Sequence, residues 1–150
     1  MRVSDSNTKT NDQRAFIEGI FVGVIIDVFG GFFVEFVIGL GYTLYYSMIT
    51  GSFKEAIGSQ PTTSQGYPLY LLISILSYTL VPYTAGYVCA LTSKYKVNKC
   101  AIIVGIITSS TGILIGATAN VPNALLKSLF RNIISFCFIV YGARRWEKTD

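Results

Sequence analysis

The chain has 150 residues, 51% of them apolar and only 13% charged, with a mean hydropathy of +0.52 and a net charge of +4. A soluble domain carries charge on about a quarter of its residues, so this chain cannot dress its own surface for water, and its long apolar runs put it in the membrane class. The basic excess sits in the loops between those runs, which argues against a nucleic-acid partner, and a chain with no histidine and no C-x-x-C pair has almost no ligands for zinc or haem.

Residues 1–15 form a polar tail that mixes Arg2, Lys9 and Arg14 with Asp5 and Asp12. The apolar run beginning at Phe16 is far longer than a signal-peptide core of about 7–15 residues, so no cleavable leader is expected. That run continues to about Ile49, broken by Asp27 and Glu35. As one helix it would extend roughly 51 Å, against a hydrocarbon core of about 30 Å. The first span is therefore placed at 16–37, with 38–67 as an outer segment. Within it, the stretch from Ile38 to about Ile57 is expected to project outward or lie on the outer surface. Ile38, Tyr42, Tyr45 and Ile49 fall at helical spacing, as an amphipathic extension would require. Splitting the run at Gly30-Gly31 would need a hairpin on a two-residue turn and would move the C-terminus to the other side, so it is not adopted. Residues 58–67 read as a polar loop rich in turn formers.

Three further spans follow at about 68–91, 101–119 and 124–143, each near the ~20 residues that cross a bilayer, and a basic tail occupies 144–150. No stretch alternates polar and apolar with period two over ten residues, so helices are preferred to a barrel. The expected fold is all-α, a polytopic four-helix transmembrane bundle. Nine Lys and Arg lie in the N-terminal tail, the 92–100 loop and the C-terminal tail. The three others are Lys54, Lys127 and Arg131. By the positive-inside rule both termini face the cytoplasm, and a bacterial inner membrane is the expected location. Tyrosines flank the outer boundary, and Tyr87, Tyr95, Tyr141 and Trp146 flank the inner one, as an interfacial belt does. Cys89, Cys100 and Cys137 are expected to be reduced thiols packed as small apolar residues.

Helix association in lipid relies on close backbone approach through small residues. Gly19-x-x-x-Gly23 and Gly112-x-x-x-Gly116 therefore mark packing faces, more simply within one chain than between copies. Asp27 is the residue most in need of explanation. Counted from Phe16 it lies about 16 Å deep, near the midplane, where a carboxylate needs a partner or a proton. Thr108 and Ser109 of span three and Tyr78 of span two are placed by depth beside it, giving a candidate ion or proton site. Glu35, about 28 Å deep, matches Arg131 of span four, a candidate ion pair with Lys127 one turn further out. Pro82 falls inside span two and frees a carbonyl near Tyr78.

Enzyme signatures are missing: there is no H-E-x-x-H, no phosphate loop and no G-x-S-x-G elbow, so catalysis and cofactors are not expected. In size and in the acid of its first span the chain is similar to small multidrug transporters. Those chains are shorter and their dual-topology members lack so strong a charge bias, so no residue role is carried over. Three functions fit. The first is a non-catalytic membrane component acting by helix packing with itself or with a membrane-protein partner. The second is a small permease or ion-conducting oligomer using Asp27, and the third is a holin-like pore former.

Overall fold

A computed structural model describes residues 4–52, 67–94, 96–118 and 124–147. They form four helices: α1 (Ser4–Thr50), α2 (Tyr67–Ser93), α3 (Val97–Thr118) and α4 (Ala124–Glu147). Among the described residues three stretches are long and apolar enough to cross a membrane: Thr10–Thr50, Val97–Thr118 and Leu125–Trp146.

Helices successive in sequence alternate in direction, so α1 runs parallel to α3 and α2 to α4, and the packing runs α1 on α2, α2 on α4, α4 on α3, with α3 closing more lightly on α1. Among the described residues α1 and α4 stand diagonally opposite and do not pack against each other. The two ends of the bundle differ. At the end holding Phe16, the α2–α3 turn and Trp146, the core is tight and made of small residues. Ala85, Cys89, Ala90, Cys100, Ala101 and Ala143 are fully buried there, with Val104 and Ile139 as the larger members. Toward the other end the centre opens into a cavity.

Small residues let the backbones meet. A Cβ on Gly19 would lie 2.9 Å from the Cys89 carbonyl of α2, and one on Gly23 would lie 3.0 Å from Val104 of α3. A Cβ on Gly86 or Gly142 would run into the backbone of the facing helix at Ile139 or Tyr83, so α2 and α4 touch almost main chain to main chain. Gly112 packs on the Asn132 side chain of α4, whereas Gly116 lines the cavity. The Gly19/Gly23 face is thus spent inside the chain.

Helix α1 runs unbroken through Gly30-Gly31 and on to Thr50, so residues 38–50 continue the first helix and do not lie flat. Contact of Gly23 with Val104 and of Asp27 with Thr108 fixes α1 and α3 in parallel register. That register brings Thr118, the last residue of α3, level with Val37. The stretch Ile38–Thr50, about 20 Å of helix, therefore stands above the α3–α4 end. Its half-buried stripe is Ile38, Tyr42 and Tyr46, with the Tyr42 and Tyr46 rings stacked at 6.0 Å. Tyr45 and Ile49, expected on that stripe, are exposed instead. Residues 53–66, and with them most of the expected polar loop, fall outside the described residues.

The expectation of reduced thiols is corrected at two positions. Cys89 and Cys100, eleven residues apart, form a disulfide that ties the end of α2 to the start of α3. The pairing needs no C-x-x-C motif, because α3 begins at Val97, four residues after α2 ends at Ser93, and the two helix ends lie together. Cys137 is free and exposed.

Candidate functional site

The cavity between the diagonal helices α1 and α4 has a volume of about 470 Å³. Its walls follow from the helical repeat. On α1, Asp27, Gly31 and Glu35 recur every fourth residue and line it together. On α4, Lys127, Ser128, Arg131, Asn132 and Ser135 do the same at spacings of three and four. Helix α2 contributes Ser77, Tyr78 and Pro82, and α3 contributes Thr108 and Gly112. An otherwise oily bundle has gathered its polar residues on one internal surface.

Asp27 sits at the closed end, half-buried, with the Thr108 hydroxyl hydrogen-bonded to its carboxyl and the Arg131 charge within electrostatic reach. About 12 Å higher along α1, Glu35 pairs with Arg131 across the cavity, Oε1 to Nη1 at 2.7 Å. The guanidinium also lies 4.2 Å from the centre of the Tyr78 ring, while the Tyr78 hydroxyl donates to Glu35 Oε1 at 3.5 Å. Acid, base and ring thus form one cluster spanning α1, α2 and α4. A cation over an aromatic face is attracted by the ring quadrupole, which adds to the ion pair.

Of the residues expected at the ion site, Asp27, Thr108 and Tyr78 line the cavity. Tyr78, expected level with Asp27, is instead level with Glu35. Ser109 is turned to α4, where its hydroxyl donates to the Asn132 carbonyl at 3.5 Å. The α4 wall beyond Arg131 and Lys127 lies outside the sequence-based expectation. Ser128 donates to the Gly112 carbonyl at 2.7 Å, and the buried Asn132 donates through Nδ2 to Ser128 Oγ at 3.1 Å. Ser128-x-x-x-Asn132-x-x-Ser135 is a polar stripe at helical spacing, so the 3.6-residue period carried that signal.

The donor set at the closed end is one carboxylate with hydroxyl and amide groups around it. Oxygen ligands of this kind suit a hard, small cation or a proton, and not a thiolate-seeking metal. Comparison with protein-family models, with curated proteins and with solved structures finds no match to this chain.

Proposed function

We propose that the chain is a four-span membrane protein of the bacterial inner membrane, N-in and C-in, that binds and passes a small cation or proton. It does so without catalysis, through the cavity between α1 and α4. Asp27 is the binding carboxylate, Thr108 its hydrogen-bonding support, and the Glu35–Arg131–Tyr78 cluster the barrier at the wider end. One observation carries this reading: a half-buried acid at the closed end of a polar cavity, with an ion pair across the other end. A charge placed inside a membrane domain costs about 2.5–3.5 kcal/mol even on lenient insertion scales. Four ionisable residues on one internal surface are hard to account for by packing alone.

The test is flux of monovalent cations and protons into proteoliposomes holding the purified chain. Asp27→Asn keeps shape and hydrogen bonding but removes the charge, and flux should fall about ten-fold or more, the scale of a lost charged contact. Undiminished flux through a folded Asp27→Asn variant would overturn the proposal.

A second reading, a component that works by helix packing with a partner, has its own support on α1. A Cβ at Gly39 or Gly41 would meet nothing within 4 Å among the described residues, which leave a smooth stretch of that helix uncovered. This reading expects Asp27→Asn to be silent and bulky residues at Gly39 to abolish function.

A further inference from the structure

A second cavity, of about 260 Å³, lies at the opposite end of the bundle, lined by Lys94, Lys96, Val97, Asn98, Lys99 and Trp146. Three lysines, Lys94, Lys96 and Lys99, line it from a stretch of six residues. Topology alone asks only that lysines lie somewhere in a loop. Here the backbone is held in an unusual shape to place them. Lys94 and Lys96 have φ of 47° and 50°, left-handed conformations that side-chain-bearing residues rarely adopt. The turn is pinned on both sides. The Lys94 N–H donates to the Ala90 carbonyl at 3.0 Å, the Lys96 carbonyl accepts from Lys99 and Cys100, and the Cys89–Cys100 disulfide locks the flanking helix ends. The pocket also lies at the start of α3, the end of a helix where the dipole is positive.

Its surroundings indicate what kind of anion belongs there. Leu91 is one helical turn deeper than Lys94 on the same face of α2, and it is exposed. Ile102 stands in the same relation to Asn98 and Lys99 on α3, also exposed. Trp146 brings an indole, a side chain at home between headgroups and hydrocarbon. Cationic pocket and apolar track thus adjoin in the order of a lipid's headgroup and acyl chain.

We propose that Lys94, Lys96 and Lys99, with Trp146, form a binding site for the phosphate-bearing headgroup of an anionic phospholipid in the adjacent leaflet. This site is independent of the Asp27 cavity. It requires only that the bundle sit in a membrane.

The full chain in neutral detergent is melted with and without phosphatidylglycerol, phosphatidylcholine or inorganic phosphate. Phosphatidylglycerol should raise Tm by about 5 °C at saturation, and phosphatidylcholine should not. The variant Lys94→Gln/Lys96→Gln/Lys99→Gln should lose most of that rise. Arg14→Gln/Arg144→Gln/Arg145→Gln, which removes equal charge from the same end outside the pocket, should keep it. Equal shifts with both lipids, or equal losses in both variants, would overturn the site. A full shift with inorganic phosphate alone would overturn the lipid as its ligand. Native mass spectrometry of the unaltered chain gives a reading that needs no variant: a retained phosphatidylglycerol adduct is expected, and its absence from lipid-supplemented samples counts against the proposal.

Discussion

Arg131 is held from two sides, by the Glu35 carboxylate at 2.7 Å and by the face of Tyr78. An exposed ion pair in water is worth about 0.2–1 kcal/mol, and this one bridges α1 and α4 across the cavity with its side chains 42% and 41% exposed. Removing one partner leaves the other charge without its counter-charge, so Glu35→Gln should destabilise the bundle by up to about 1 kcal/mol, measured by thermal melting in detergent. The exchange Glu35→Arg/Arg131→Glu should recover much of that loss, and Tyr78→Leu should cost less than Glu35→Gln. If the exchange is no better than the single change, the pair is not what holds α1 to α4. The match of Glu35 with Arg131 was legible in the sequence because a rise of about 1.5 Å per residue turns position into depth. Depth does not fix direction around the axis, where one residue turns about 100°. Ser109 therefore matched Asp27 in depth yet faces α4, while its neighbour Thr108 carries the contact. Tyr78 erred along the axis. Gly30 meets Val81 and Gly23 meets Cys89, a register that lifts Tyr78 to the level of Glu35.

The glycines of the helices divide into those that a methyl group would wreck and those that it would improve. Gly86 and Gly142 sit where α2 and α4 approach main chain to main chain, so Gly86→Leu should separate the pair. A loss of about 3 kcal/mol or failure to purify as a folded species is expected, by analogy with overpacked cores. Gly39 has open space around it, and Gly39→Ala should raise Tm slightly, since a mid-helix glycine costs about 0.5–1 kcal/mol relative to alanine. The measurement is detergent melting of each single variant. Similar losses for both would mean the α2–α4 contact is not the tight one. Gly19 and Gly23 announced themselves by their spacing. Gly142 carried no motif, because its partner Tyr83 lies on a helix far away in the sequence and only the assembled pair reveals the contact. The disulfide stayed hidden for the same reason: eleven residues of sequence separation say nothing until the turn between them is seen to close.

Across the whole molecule, α1 is far longer than a bilayer requires, 47 residues or about 70 Å, whereas α3, of 22 residues, is about 33 Å long. The sequence showed the excess as an apolar run too long for one crossing. Its direction depended on whether the chain bent after Val37, and two glycines were not enough to bend it. Two signals at the basic end also pull apart. The positive-inside rule, on which the proposed topology rests, favours the cytosol for an end rich in lysine, while disulfides belong to oxidising compartments. Complete burial of Cys89 and Cys100 keeps soluble reductant from the bond, so the disulfide is compatible with the proposed orientation. Labelling of cysteines in sealed right-side-out membrane vesicles resolves both length and direction. Cys137 is free and exposed, and the register of α4 on α3 puts it level with the Gly23 region, within the lipid-facing belt. A membrane-impermeant maleimide should leave it untouched and a lipid-soluble one should reach it. In a Cys137→Ser background, Thr50→Cys at the top of α1 should react with the impermeant reagent in intact vesicles. Thr10→Cys, 40 residues earlier on the same helix, should react only after the vesicles are opened. Labelling of both from outside would mean that α1 does not cross, and rapid impermeant labelling of Cys137 would mean that the exposed apolar surface of α4 faces something other than lipid.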